Sequence, residues 1–416
     1  MLWLLSQAGH ELVDDPVVAD AVIVNTCGFL ESARAEAVEQ ILEIAAMKPK
    51  TIVVAGCMSE RHKNEIMLEI PEVDGVIGCG SFDDVVEVLN EAAEGKRPER
   101  FGDINAPVSE TPRILGTPQY TAYLKIAEGC DNHCAYCVIP SIRGSFRSRS
   151  MDNIINEAKA LAEDGARELT LVAQDTTRYG LDLYGKRVLP ELIDKLCEIE
   201  NIHWLRLHYL YPDDVTEELV KTIARQPKCT PYFDIPIQHC GDKLLKSMGR
   251  RGNKAGLLRM VNLIRENVPN AVLRTSFIVG LPGETDGDFE ELCEFLRQTK
   301  WERAGVFEYS AEDDTPAAIM QGQVDEETKS RRREIIEDIR REIMDDFNET
   351  LMEETLEILC EGYDRAAGCY FGRSVYDAPE VDGKVFFESG KKVQPGEFVQ
   401  VKISESIDGD LFGGTV

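Results

Sequence analysis

From Ala21 the chain alternates short runs of β-branched residues with longer segments whose apolar positions recur every three to four residues. That is the pattern of strands separated by amphipathic helices. AVIVNTC precedes SARAEAVEQILEIAAM, TIVVAGCM precedes a polar helical stretch, and DGVIG precedes FDDVVEVLNEAAEG. Residues 1–95 are therefore expected to form a small parallel α/β domain. Residues 96–119 carry four prolines and no clean periodicity, which predicts a linker. Across 120–320 the alternation resumes with six strand candidates: YTAYLKIAEG, ELTLVAQD, HWLRLHYLYP, YFDIPIQ, VLRTSFIVGLP and AGVFEYS. Six strand–helix units suit an open, partial (βα)6 TIM-type barrel rather than the eight-unit form of about 250 residues, and place site residues just after strand ends. Residues 321–354 are charged, with Ile and Met at helical spacing, and predict a connecting helix. Residues 355–416 change to five short β-rich runs broken by Gly and Pro, the pattern of a small β-barrel. The expected class is multidomain α/β.

Composition narrows the setting. Hydrophobic residues make up 43% and charged residues 29% of 416, and no apolar run reaches the ~18 residues of a membrane span, so no membrane partner is expected. The N-terminal MLWLLSQAGHELVDD lacks a basic leader and a small-residue cleavage site, which argues against a secretory signal and for the cytoplasm. In that compartment twelve cysteines point to metal or redox chemistry rather than disulfides. The formal charge of −29 opposes non-specific phosphate binding and favours a basic partner, although solubility alone accounts for acidity equally well.

The candidate chemistry is EGCDNHCAYCVIP, three cysteines within eight residues directly after the first strand of the second domain. A Cys-x3-Cys-x2-Cys loop can hold three corners of an iron–sulfur cubane and leave the fourth iron open to a substrate. A structural zinc site would need a fourth local ligand, and no Cys or correctly spaced His follows, His133 lying inside the loop. The three positions also share one face of a helix, so three buried thiols are the competing reading. Asn132, Pro140 and Gly144 oppose a continuous helix there.

Cys130, Cys134 and Cys137, with the aromatic Tyr136 before the last, resemble the signature of the radical S-adenosylmethionine (SAM) enzymes. The resemblance implies a 4Fe-4S cluster on these three catalytic cysteines, whose open iron chelates the amino and carboxylate groups of SAM. It also implies reductive cleavage to a 5′-deoxyadenosyl radical that takes hydrogen from an unactivated carbon, the protein supplying binding, orientation and exclusion of water. NTCGF ends one strand at Cys27 and AGCM ends the next at Cys57, on the same edge. By themselves two such cysteines are more often plain core residues. With the barrel and the terminal β-module, however, the whole chain resembles the methylthiotransferase family of radical SAM enzymes.

In that family three N-terminal cysteines bind a second, auxiliary 4Fe-4S cluster, where sulfur is attached, methylated and inserted. Two carry over, Cys27 and Cys57. The third belongs to a segment like SLGCPKN, and Met1 aligns inside the following helix. The expectation is thus a domain lacking its first segment, by late start assignment or truncation, and an auxiliary cluster with its third ligand absent. Cys79 in VIGCGSF, near a third strand end, is a candidate substitute.

AQDTTRYG, YFDIPIQH, LKSMGRR and SFIVGLPGET resemble the branch that methylthiolates the β-carbon of an aspartate on ribosomal protein S-twelve. The tRNA-modifying branch more typically reads GQNV where this chain reads AQDT. The resemblance assigns Gln174, Gln238 and Gly280 to SAM and Arg250 to its carboxylate, each also readable as an ordinary strand-end or helix residue. The last module resembles a TRAM domain, and residues 351–416 hold 6 Lys/Arg against 13 Asp/Glu. That sign suits a basic ribosomal protein and argues against a nucleic acid as direct substrate. Phe371, Tyr376, Phe386 and Phe387 are readable as part of a recognition face or as core. A reductant and a sulfur source are implied partners. A tRNA adenosine methylthiotransferase, which needs a basic docking surface, and a non-catalytic iron–sulfur or ribosome-binding protein are the alternatives.

Overall fold

In TIVVAG every residue is buried, Val54 against one apolar cluster and Val53 and Ala55 against another. A strand covered on both faces belongs inside a parallel sheet flanked by helices. The computed structural model describes residues 1–416, the side chain of Asn64 excepted, and places this strand second in such a sheet. Its strands β1 (Ala21–Thr26), β2 (Thr51–Gly56), β3 (Gly75–Ile77) and β4 (Glu99–Arg100) are parallel and adjacent in chain order. The last lies within the stretch read as a linker: two residues are too few to show a period, and only their pairing with Val76 and Ile77 makes them a strand.

A second parallel sheet follows the order β12-β11-β10-β9-β8-β5. Its members are β5 (Thr121–Lys125), β8 (Glu168–Val172), β9 (Trp204–Leu207), β10 (Cys229–Asp234), β11 (Val272–Val279) and β12 (Arg303–Glu308). Between β5 and β8 two short strands, β6 (Ala127–Glu128) and β7 (Arg147–Ser148), bracket the cysteine loop in the chain. Helix Glu326–Thr350 leads to β13 (Thr355–Asp364), β14 (Cys369–Arg373), β15 (Val385–Glu388), β16 (Phe398–Ile407) and β17 (Asp410–Thr415), which close into a barrel. The fold is therefore an N-terminal parallel α/β domain, a six-stranded parallel sheet and a five-stranded β-barrel. Phe387 lies in the barrel core and Tyr376 packs against it, whereas Phe371 and Phe386 stay half-buried.

By its contacts the chain divides into two compact units: residues 1–116 with 128–148 and 310–319, and residues 117–127 with 149–309 and 320–416. Among the described residues no helix is long and apolar enough to cross a membrane.

Candidate iron–sulfur site

The loop from Cys130 to Cys137 is irregular, with a single turn at Ala135 and Tyr136, so the buried helix-face reading of its cysteines does not hold. Backbone bonds shape it at both ends: Cys130 N–H donates to Gly144 O at 3.1 Å and Cys137 N–H to Cys134 O at 3.0 Å. Gly129 enters the loop at φ +81°, where a Cβ would lie 2.1 Å from Ser145 O, so a side chain is excluded twice over. Asn132 Nδ2 donates to Cys130 Sγ at 3.5 Å, and all three thiols and Tyr136 are half-buried.

The same compact unit contains Cys27, Cys57 and Cys79. β1 pairs with β2 through Thr26 and Gly56, so Cys27 and Cys57 occupy corresponding positions just past the strand ends. The Cys27 turn is pinned by Arg61, whose Nη1 donates to Gly28 O at 3.0 Å and to Glu312 Oε2 at 2.9 Å. Glu312 also accepts from Arg34 and from Glu31 N–H.

Arg143 ends the short helix after the cysteine loop and reaches the strand edge. Its Nε and Nη2 donate to Cys57 Sγ at 3.2 and 3.0 Å, and Nη1 donates to Glu128 Oε1 at 3.3 Å. The Cys57 thiol is held down at about 6, first by a hydrogen bond from Cys79 and then, against the cost of burial, by the Arg143 charge. The same contact, together with burial, pushes the Cys79 thiol up. Neither Arg143 nor Glu312 was identifiable beforehand. Arg143 looks like any basic residue after a motif, and Glu312 is 251 to 281 residues from its partners.

Among the described residues no three His, Cys, Asp or Glu side chains are grouped to hold a single metal ion, and no cysteine forms a disulfide. A cubane takes one thiolate per iron, so its ligands stand around it rather than converge on a point. Reduced cysteines in a loop with N–H donors to sulfur, and others in register along a strand edge, fit that donor chemistry. Thiolates flanked by hydrogen-bond donors are also what set a cluster's potential.

Gln174, Gln238, Arg250 and Gly280 belong to the other unit, so the thiols and these residues are not brought together within one unit. Gln174 lies two residues beyond β8 and Gly280 directly follows β11. Gln238 adopts φ +69° and bridges to Phe277, its N–H donating to Ser276 O at 2.9 Å. Arg250 Nη2 donates to Pro236 O at 2.8 Å, its guanidinium lying 4.8 Å from the Tyr211 ring. Nearby in sequence, burial pushes the Glu284 carboxyl up to about 7 despite Arg332 at 3.0 Å.

Deeper in this unit lies an ion network. Glu168 is fully buried and accepts from Arg206 at 3.0 Å and Arg373 at 2.6 Å. Burial alone would raise its carboxyl, yet the two guanidiniums hold it at about 2.

Comparison with known proteins places these features. Residues 124–296 match the Radical SAM superfamily, residues 1–78 the uncharacterized protein family UPF0004, and residues 354–416 the TRAM domain. The chain is 46% identical over 422 residues to "Ribosomal protein uS12 methylthiotransferase RimO" of Pelotomaculum thermopropionicum, covering 100% of this chain and 95% of that one. Its counterpart in Clostridioides difficile is 43% identical over 418 residues, covering 99% and 94%. Among solved structures, the radical SAM methyltransferase TsrM from Kitasatospora setae aligns at a TM-score of 0.54 and 16% identity, over 72% of this chain and 65% of that one, a likeness of fold.

Proposed function

This chain belongs to the RimO family of radical SAM methylthiotransferases, and on that premise we propose that it adds a methylthio group to the β-carbon of an aspartate on ribosomal protein uS12. The matched domains imply iron–sulfur chemistry and SAM. In this reading Cys130, Cys134 and Cys137 hold a 4Fe-4S cluster and leave one iron for SAM, while Cys27 and Cys57 help hold a second. When bound, these groups supply a carbon-centred radical able to take hydrogen from an unactivated C–H bond, together with the sulfur and methyl to be transferred.

The chain's own part is binding and orientation. Arg143 donates to Cys57 Sγ from the helix that closes the cysteine loop, and the observation that carries the reading is this contact, since it joins the two sets of cysteines within one compact unit. Arg61 and Glu312 hold the Cys27 turn. By the family's pattern Tyr136, Gln174, Gln238, Arg250 and Gly280 are assigned to SAM. The acidic last module favours a basic protein over tRNA. A ribosomal substrate sets the work in the cytoplasm, with a cellular reductant and a sulfur source as further partners.

The deciding experiment is anaerobic turnover with uS12 carrying deuterium at aspartate β-carbons. Deuterium is expected in 5′-deoxyadenosine and one methylthio group on uS12 by mass spectrometry. Modification of tRNA instead, or methylthio transfer without deuterium in the nucleoside, rejects the reading.

A further inference from the structure

The register of the six-stranded sheet lines up a mostly polar row across all its strands. Lys125 pairs with Val172, Asp234 with Arg274, and Arg274 with Arg303. His208 falls between Val172 and Asp234, because Leu207 before it pairs with both Leu171 and Phe233. Residues in register across a parallel sheet face the same way. On the opposite face the preceding residues Leu124, Leu171, Leu207, Phe233 and Leu273 are fully buried and apolar. Gln174, Gln238 and Gly280 stand two, four and six residues beyond Val172, Asp234 and Arg274, so the row lies on the N-terminal side of the residues assigned to SAM.

Buried polar groups cost stability unless they meet a partner, and this row is only partly closed. Arg303 is buried, and its Nη2 donates to Asp377 Oδ1 at 2.9 Å. Two residues before His208 and on the same face, Arg206 is closed off on Glu168. Arg274 differs. Its side chain keeps 17% exposure and lines a cavity of about 660 Å³ beside β12. Among the described residues only its Nη1 finds an acceptor, Asp234 Oδ1 at 2.6 Å. Asp382 and Glu302 share that cavity but are taken. Asp382 accepts from Tyr232 O–H at 2.6 Å and Ala378 N–H at 2.8 Å, and Glu302 from Arg265 at 2.6 Å and Leu273 N–H at 2.8 Å. His208 Nε2, in the same row, is buried with no hydrogen-bond partner among the described residues.

The Arg274 guanidinium is held in place by a built support. Asp234 is fully buried and uses both oxygens, Oδ1 for Arg274 and Oδ2 for Tyr209 N–H at 3.1 Å. Tyr209 makes that bond in a left-handed conformation, φ +60°. Thr176 fixes the turn, its N–H donating to Tyr209 O at 3.1 Å and its Oγ1 to His208 O at 2.9 Å. Strain of this kind in a bulky residue persists only where neighbours over-determine it, and it gathers at ligand sites.

We propose that Arg274 binds the carboxylate of the aspartate to be modified, its guanidinium fixed on Asp234 and its remaining N–H donors open to the cavity. A guanidinium meets a carboxylate through two parallel N–H···O bonds, which fixes the carboxyl plane and with it the β-carbon one bond away. Asparagine at that position lacks the charge and one acceptor, so the same arginine selects for aspartate. The inference rests on the reading above, in which the modified residue is an aspartate of uS12.

The test uses the reconstituted full chain and uS12 carrying either aspartate or asparagine at the modified position. Two variants are compared with the parent: Arg274→Gln, and Arg274→Gln combined with Asp234→Asn, which removes both charges together so that no buried carboxylate is stranded. In each, KM for uS12 should rise at least about thirtyfold. Iron per chain, SAM affinity by equilibrium dialysis and near-ultraviolet circular dichroism should stay those of the parent. The parent should favour the aspartate protein by a similar factor in kcat/KM, and the variants should lose most of that preference. An unchanged KM, an undiminished preference in the variants, or equal use of both proteins by the parent overturns the assignment and leaves the methylthiotransferase reading intact. Loss of ellipticity together with turnover in both variants makes Arg274 a structural residue and likewise overturns it. Failure of the parent to modify either uS12 overturns the reading on which the inference rests.

Discussion

Cys130, Cys134 and Cys137 reach one another along eight residues of chain, whereas Cys27 and Cys57 are 30 residues apart and share an edge only because two parallel strands end in register. The first set depends on local turns: a left-handed glycine, two backbone bonds and an asparagine on sulfur. The second depends on the core of a sheet whose middle strand is buried on both faces. A loop of this kind can be recognised from spacing, while a row of strand ends has no spacing to recognise. Arg143 follows the local set in sequence and hydrogen-bonds to Cys57 of the distant one in space.

The sharpest way to break this comparison is to remove one thiol from each set. Cys134→Ala should reduce 5′-deoxyadenosine formation to the no-enzyme level, whereas Cys27→Ala should retain SAM cleavage and lose methylthio transfer to uS12. Nucleoside and uS12 product, followed in one assay, separate the two. Equal loss of SAM cleavage in both variants would mean that the sets do not act as distinct centres.

A second change addresses the unit without these thiols. Glu168→Gln leaves Arg206 and Arg373 buried without their carboxylate, and should cost about 3–5 kcal/mol in urea unfolding while iron per chain stays that of the parent. The acid limb follows from the same unit. Burial holds the His208 imidazole down at about 4, below its ordinary 6.5, so its contribution is present above pH 6.5 and is lost as pH falls towards 4. Glu168, held at about 2, withdraws its contribution below about pH 4.5. Thermal midpoints followed from pH 7 down to about pH 2 should therefore fall in two stages, and His208→Gln should flatten the upper one.

The smallest effect belongs to the link. Arg143→Gln removes the charge and the two N–H donors from Cys57 Sγ, and should lower the auxiliary cluster's reduction potential by roughly tens of millivolts. The loop cluster should change less. Potentiometric titration resolving the two signals checks this, and an equal shift in both would assign Arg143 to neither set in particular.

Much of the architecture was legible from periodicity. Runs such as TIVVAG and VLRTSFIV, alternating with amphipathic segments, carry enough apolar positions to mark a parallel strand. Glu99–Arg100 was not legible, because a two-residue strand exists only through its partner. The buried charges were also hidden. Glu168, Arg206 and Arg373 sit in strands whose neighbours are apolar, and their burial is tolerable only because they meet one another across β8, β9 and β14.

By itself the sequence determined the three-cysteine loop, since ligands within one turn-rich segment stay close in any fold that contains it. It also determined the order of strands and helices, because burial of apolar faces follows their spacing. Only the tertiary structure decided that Arg143 lies on Cys57 and that Glu168 is neutralised by two arginines. Each depends on strand register or on packing between segments distant in the chain, and a shift of register would undo it.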